Sequence, residues 1–367
     1  MKRAGKLFEK IISDENLLLA IEEVNSSHRW NRYPDKPNKR TLWVEATKYE
    51  RVKELRQIIT GGFKPSPCLE KRRYDPNAGK WRNIWEPRLW PDQYIHHALI
   101  QVLEPVMMRG MDRWCCGSIK NRGAHYGIRR IKKWLREDKS GTRWCAELDI
   151  RRFYESVKPE VVMRRFRRLV KDRRALDLLE RIIADGIKIG FYTSQWLMNT
   201  LLQPLDVLIR QTGIKHYIRY MDNFTLFSNR KKSIDKAIVL VDEWLRGEGL
   251  ELKSNWQKFK TDKRPPNALG YRYKRNFVML RKHSFLRLKR QLRSYYRIQG
   301  KRRPVSLKMA QGLLSRLGML RHCNSAFIYK KYVRKGTQAA LKAVVRRCFR
   351  KEHKAWSMYL EQLNAAA

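Results

Sequence analysis

Two strand-favouring runs meet at Asp222 and Asn223. Residues 217–228 read Tyr-Ile-Arg-Tyr-Met-Asp-Asn-Phe-Thr-Leu-Phe-Ser, with apolar and aromatic residues on both sides of the polar pair. Such residues suit a pleated, half-buried surface, and Asp and Asn tolerate the positive φ of a tight turn. The pattern predicts a β-hairpin that presents one carboxylate and one carboxamide at its tip. Taken alone, that is an ordinary hairpin with a common turn pair. The rest of the chain decides whether the tip does chemistry.

Charge narrows the partners. The 367 residues hold 82 Lys and Arg against 35 Asp and Glu, a formal net charge of +47. Self-repulsion of that size destabilises a compact state, and a polyanion that releases its counterions is the usual reason to carry it. Nucleic acid is the expected partner. The basic residues are spread along the whole length, which fits a channel or long groove better than a tethering tail. Hydrophobic residues make up 43%, with 12 Trp, 16 Tyr and 12 Phe, enough to build cores and to exclude wholesale disorder. No apolar run reaches the roughly 18 residues of a membrane span, and the N-terminus has no apolar signal region, so no membrane partner and a cytoplasmic location are expected. Cys68, Cys115, Cys116, Cys145, Cys323 and Cys348 show neither C-x-x-C nor any paired metal spacing. They read as reduced, mostly buried thiols, with no zinc site.

Residues 1–60 carry Leu7, Ile11, Ile12, Leu17, Leu18, Ile21 and Val24 at helical spacing, and 39–59 is a second, very basic helical stretch. Gly61, Gly62, Pro65 and Pro67 break the pattern. Residues 69–90 predict a β-hairpin with its turn at 75–79. Pro91 and Asp92 then cap a helix over 93–107. A glycine-bracketed basic loop, 117–123, leads into a helix over 126–137; its amides with Lys120 and Arg122 suit phosphates. Residues 144–149 predict a buried strand that ends in Asp149. Helices follow over 159–169 and 175–184, then a Gly loop over 187–194 and a long helix over 196–211 with Thr193 or Ser194 as N-cap. Beyond the opening hairpin come a helix over 233–248, a hairpin over 267–280, and dense basic helix from 284 to the end.

Asp149 and Asp222 lie 73 residues apart in sequence, one at a strand end and one at a hairpin tip. Two carboxylates brought together repel unless a divalent cation bridges them. Mg²⁺ takes oxygen ligands, typically one or two carboxylates plus substrate phosphates, and a pair of such ions activates one oxygen while stabilising the leaving one. In a strongly basic protein this points to nucleotidyl transfer.

The motifs around these residues resemble those of reverse transcriptases. Leu148-Asp149-Ile150-Arg151-Arg152-Phe153-Tyr154 resembles motif A. Gly190-Phe191-Tyr192-Thr193-Ser194-Gln195, followed by Met198-Asn199, resembles motif B. Arg219-Tyr220-Met221-Asp222-Asn223-Phe224 resembles motif C, usually Tyr-x-Asp-Asp. Leu252, Asn255 and Lys258 resemble motif D, and Leu269-Gly270-Tyr271 resembles motif E. Lys80, Arg82, Ile84, Pro87 and Asp92, with Ser118, Arg122 and Gly123, resemble the fingers motifs. Seven blocks in family order span about 75–281. The Ser194-Gln195 pair and the Arg-Tyr-x-Asp-x-Phe pattern resemble bacterial enzymes of the diversity-generating retroelement type and related unknown-group and defence-associated enzymes, whereas group II intron enzymes usually carry Ser-Pro. Residues 313–325 resemble the thumb of the same group.

The resemblance implies an α+β right-hand polymerase: N-terminal helices and fingers over 1–143, a palm with a small antiparallel sheet over 144–281 (finger helices inserted at about 158–186), and a helical thumb over 282–367. It implies RNA-directed DNA synthesis on a dedicated noncoding RNA, in a bacterial or phage retroelement or antiviral defence system. Asp149, Asp222 and the Ile150 carbonyl would hold two Mg²⁺ ions, with Mn²⁺ as the alternative. Tyr154 would exclude a ribose 2′-OH. Lys80, Arg82 and Arg122 would hold the dNTP triphosphate, Gln195 would touch the nascent base pair, and Lys258 would protonate the pyrophosphate. RNA template, RNA/DNA hybrid and an accessory protein or second reverse transcriptase are the implied partners. With no Cys/His endonuclease pattern, other factors would integrate the product. Asn223 departs from the family's second Asp. Its amide keeps an oxygen but loses a full charge, which leaves a second reading: a weakened polymerase fold that binds RNA or a protein partner.

Overall fold

The computed structural model describes residues 2–29, 38–75 and 79–365, the side chains of 75, 80, 351–353 and 363–365 excepted. Three antiparallel sheets are set among helices. The first is the hairpin of β1 (Leu69–Asp75) and β2 (Lys80–Glu86), with Asp75 opposite Lys80. The turn residues 76–78 lie outside the described residues. The second sheet holds β3 (Trp144–Asp149), β4 (His216–Tyr220), β5 (Asn223–Ser228) and β6 (Gln257–Lys260) in the order β4-β5-β3-β6. The third is β7 (Asn267–Ala268), β8 (Tyr271–Tyr273) and β9 (Val278–Leu280).

The four-stranded sheet divides the interior. Side chains alternate along a strand, so each face collects every second residue. Ala146, Leu148, Tyr217, Phe224 and Leu226 enter a large core with the helices Asp14–His28, Tyr94–Met108, Tyr192–Leu201 and Lys231–Gly247. Cys145, Ile218 and Phe227 face a second core, built by the helix Ala124–Glu137, the third sheet and the C-terminal helices Lys282–Gly300 and Leu307–Leu320. Both faces are therefore covered.

Local chemistry sets several boundaries. Ser13 accepts from the Asn16 amide at 3.3 Å and opens Asp14–His28 with Asp14 and Glu15 in the first turn. Asp172 caps Arg173–Ile183 and also accepts from Leu7 and Phe8 at 2.6 and 2.9 Å, which ties the N-terminal segment down. Four expectations shift. The basic stretch 39–59 is two helices, Lys39–Ala46 and Lys48–Thr60, that meet at Thr47. Asp92 does not cap the next helix; its carboxylate accepts from the Ser66 amide and hydroxyl at 2.7 and 2.8 Å. The long helix begins at Tyr192, so Thr193 and Ser194 sit buried inside it. It also divides at Leu202, where Pro204 opens Gln203–Gln211 because its ring fits only a first helical turn.

The last helix, Thr337–Ala365, packs along Leu307–Leu320 and returns to Lys39–Ala46 near the N-terminus. There the Arg29 guanidinium lies 5.4 Å from the ring of the buried Trp356. From residue 282 onward the chain holds 22 Lys and Arg against two Glu. Among the described residues, no helix is long and apolar enough to cross a membrane. All six cysteines are free thiols, three buried and three half-buried.

Candidate active site

The hairpin tip differs by one residue from the expected turn. Tyr220 pairs with Asn223, so the two-residue turn is Met221-Asp222, with Met221 at φ 55°. Asn223 is the first residue of β5 and stands opposite Asp149, the last residue of β3. The backbone joins them further: the Ile150 amide donates to the Asp222 carbonyl at 3.2 Å, and Ile150 bridges Leu252. Three adjacent strands thus end together and place Asp149, Asp222 and Asn223 at one edge.

Their electrostatics are unbalanced. Asp149 Oδ2 pairs with Lys253 Nζ, while Asp149 Oδ1 is buried with no hydrogen-bond partner. Burial first, and then the charge of Asp149, push the Asp222 carboxyl above its ordinary range; Lys253 and a 2.9 Å hydrogen bond from Asn223 Nδ2 pull it down without cancelling this. An orphaned carboxylate oxygen beside a second desolvated carboxylate is a hard-oxygen donor set short of positive charge, and a divalent cation suits it. Among the described residues, no group of three or more His, Cys, Asp or Glu forms a fuller cage. The donors available here are two carboxylates and main-chain or amide oxygens.

The other expected residues are distributed unevenly. Tyr154 lies in the short helix Phe153–Ser156; burial, then the charges of Asp222 and Tyr220, raise its phenol, while Arg82 opposes them. Tyr154 therefore lies near Asp222, and Arg82 lies near Tyr154. Gln195 is the exposed residue on an otherwise buried stretch of Tyr192–Leu201, so its amide is free to reach a ligand. Arg122 Nη1 donates to the Asp112 carbonyl at 3.4 Å, on the loop before that segment. Lys80 sits at the start of β2, and its side chain lies outside the described residues. Lys258 is not brought to the carboxylates. It stands opposite Ala146, on the face that packs against Lys231–Gly247, and its Nζ pairs with Asp235 of that helix. The ammonium at the site belongs to Lys253.

A buried polar network lies beneath the tip, and the sequence signalled it only by an Arg in a strand. Arg219 is fully buried and bidentate on Asp206, with both contacts at 2.7 Å. Its Nη1 donates to Asn199 Oδ1 at 2.8 Å and to the Met221 carbonyl of the turn at 3.3 Å. Burial disfavours the guanidinium charge, but Asp206 more than offsets this and holds the arginine's pKa well up. Tyr217 adds its hydroxyl to Asp206. Asn199 Nδ2 donates to the Gly117 carbonyl at 2.7 Å. At Gly117 a Cβ would come within 2.8 Å of both the Met221 backbone N and Cγ, so only glycine lets the 117–123 loop meet the turn this closely. A second close approach pins the β1–β2 hairpin: Gly190, at φ 113°, has no room for a Cβ against the Trp85 carbonyl, and Trp85 N donates to the Ile189 carbonyl at 2.7 Å.

A family model described as "Reverse transcriptase (RNA-dependent DNA polymerase)" matches residues 69–273. Among curated proteins, the chain is 23% identical over 233 residues to "Protein YkfC" of Escherichia coli (strain K12), covering 61% of this chain and 56% of that protein. It is 20% identical over 245 residues to the "Putative COX1/OXI3 intron 1 protein" of Saccharomyces cerevisiae, covering 61% of this chain and 28% of that protein. Over 106 residues it is 31% identical to "Nuclear intron maturase 1, mitochondrial" of Arabidopsis thaliana, covering 28% and 14%. The match thus spans little more than half of the first of these relatives, and less of the others. Among solved structures, telomerase from Candida albicans in complex with a fragment of telomeric RNA aligns at TM-score 0.46 and 12% identity, over 88% of this chain and 68% of that one. Apo telomerase from Candida tropicalis aligns at 0.44 and 13%, over 66% and 60%.

Proposed function

Because this chain belongs to the reverse transcriptase family, and with it to the α+β right-hand polymerase architecture, we propose that it is an RNA-directed DNA polymerase that extends a primer with dNTPs and Mg²⁺. The observation that carries the proposal is the pair of carboxylates, Asp149 and Asp222, at one sheet edge with Asp149 Oδ1 unpartnered. The proposed divisions are fingers over 1–143, palm over 144–281 with finger helices at about 158–186, and thumb over 282–367.

Asp149, Asp222 and the Ile150 carbonyl hold the ions in this reading. Bound Mg²⁺ supplies activation of the primer hydroxyl and stabilisation of the leaving pyrophosphate. Tyr154, beside Asp222, closes the space that a ribose 2′-OH would need. Arg82, with Lys80 and Arg122, receives the triphosphate by charge-assisted hydrogen bonds. Gln195 meets the nascent base pair. Lys253 takes the proton-donor role towards pyrophosphate; Lys258, held by Asp235 on the other face, serves the fold. The dedicated noncoding RNA template, and the retroelement or defence setting in a bacterium or phage, rest on the Ser194-Gln195 and Arg219-Tyr220-Met221-Asp222 patterns and on the +47 charge.

A second reading has its own support. Asn223 in place of an acid, with Lys253 already paired to Asp149, lowers the negative charge available to metal. A fold so altered would serve as an RNA-holding protein. Primer extension on an annealed RNA template separates the two. Product from the native chain that disappears in Asp149→Asn supports the polymerase. No product from the native chain with Mg²⁺ or Mn²⁺, together with product from Asn223→Asp, overturns it in favour of the second reading.

A further inference from the structure

The β1–β2 hairpin has two unlike faces. Arg73, Arg82, Lys71 and Ile84 share one of them, and this is the face that serves the site: Arg82 acts on Tyr154, and Ile84 lies against Gly190 of the helix loop. The other face carries three aromatic residues. Tyr74 pairs with Trp81, and Trp81 and Trp85 are four residues apart on β2, an even spacing, so all three rings line one side. Tyr74 and Trp81 keep 51% and 57% of their surface in solvent, in an edge-to-face pair 5.4 Å apart. Cations alternate with the rings. The Arg72 guanidinium stands 5.6 Å from the Trp81 ring, and Lys188 Nζ stands 5.2 Å from the Trp85 ring. Glu70, opposite Trp85, is the one acidic side chain that shares this face among the described residues.

Exposed aromatic rings of this size lose hydration energy for no folding gain. They suit a ligand with flat faces, and the neighbouring cations suit one with negative charge. We infer that this outward face is a stacking platform for an unpaired stretch of RNA lying outside the copying cleft. The spacing supports an unpaired strand: residues four apart on a strand are separated by about 13.6 Å, roughly four times the 3.4 Å rise of stacked bases, so the Trp81 and Trp85 rings fit bases that have been drawn apart. A duplex offers no such faces, because its bases already stack on one another. The assignment to RNA rests on the proposed template chemistry; the platform itself is separate from the carboxylates.

The test uses the full chain and three labelled probes: an unstructured 12-nucleotide RNA, the same sequence as DNA, and an RNA duplex. Trp81→Ala is expected to weaken the unpaired RNA by about tenfold, in line with stacking on one aromatic ring. It should leave duplex affinity, thermal stability and the maximal rate on a pre-annealed primer–template unchanged, and Trp81→Phe should restore most of the loss. Tyr74→Ala should lose affinity in the same selective way. An equal loss for duplex, no loss for unpaired RNA, or DNA that binds as tightly with the same loss overturns the inference. Absence of primer extension in the native chain, with Trp81-dependent RNA binding intact, removes the polymerase reading and leaves this surface standing.

Discussion

At the scale of single residues, the anomaly at Asn223 and the burial of His96 each make a measurable difference. Restoring a carboxylate with Asn223→Asp adds a unit charge opposite Asp149 and replaces the Nδ2 hydrogen bond to Asp222. Charges a few ångströms apart interact by several kcal/mol even at an effective dielectric of about 20. The Mg²⁺ concentration for half-maximal primer extension should therefore fall roughly tenfold, and metal titrations of the variant and native chain read it directly. His96 has both ring nitrogens buried without a partner, and burial, reinforced by His97, lowers it from 6.5 to about 3. Its folded pKa lies below the unfolded one, so its contribution is complete above pH 6.5 and is lost as pH falls towards 3. Between pH 6.5 and 5 the native chain should lose about 2 kcal/mol more than His96→Phe in denaturant titrations.

Much at this scale was legible beforehand. Asp149 and Asp222 stand at the ends of β-favouring runs, and such runs are visible in composition. The exact turn was not visible, because Met221 has no intrinsic taste for positive φ. Arg219, two residues upstream, holds its carbonyl from a buried position fixed by Asp206 and Asn199, and Gly117 makes room for its side chain, so the groups that decide the turn come from elsewhere in the sequence. The choice between Lys253 and Lys258 was hidden for a related reason. Lys253 precedes β6 and Lys258 lies within it, and their sequence does not reveal which of the two reaches the carboxylates; the register of β6 against β3 does.

At the scale of elements, the β4–β5 hairpin is held from below as well as by its ladder. The Arg219–Asp206 pair is fully desolvated and shares Asn199 with the loop at Gly117. Removing one partner of such a pair typically costs about 3–5 kcal/mol, because the other charge stays buried alone. Asp206→Asn should lower thermal stability by that order. The joint change Arg219→Met with Asp206→Leu should cost much less stability and yet slow primer extension, since the turn loses the donor on its Met221 carbonyl. Equal losses of stability in the single and joint variants would contradict this account. No hydropathy pattern announces a buried arginine, so this support was invisible in the sequence although Arg219 itself lay in a recognisable motif. The β1–β2 hairpin was the opposite case: its register, from Leu69 opposite Glu86 to Asp75 opposite Lys80, agrees with the turn read from composition.

At the scale of the molecule, charge dominates. With +47 spread through the chain and 22 cations in its last 86 residues, binding to RNA should follow counterion release. Contact with six to ten phosphates predicts an affinity that falls about a thousandfold or more between 50 and 200 mM salt, and a binding isotherm at several salt concentrations checks it. A nearly flat dependence would mean that the positive surface is not what holds the nucleic acid. The order of the helices around the sheet was legible in outline, but their closure was not. The final helix leaves the helix Leu307–Leu320 and comes to rest beside Arg29 and the helix Lys39–Ala46. The C-terminal helices are therefore moored twice, once through the second core against the four-stranded sheet and once to the N-terminal helices. A drawbridge fastened on both banks cannot lift without casting off one of them. Any wide opening between the C-terminal helices and the N-terminal helices has to begin by undoing the berth at Trp356.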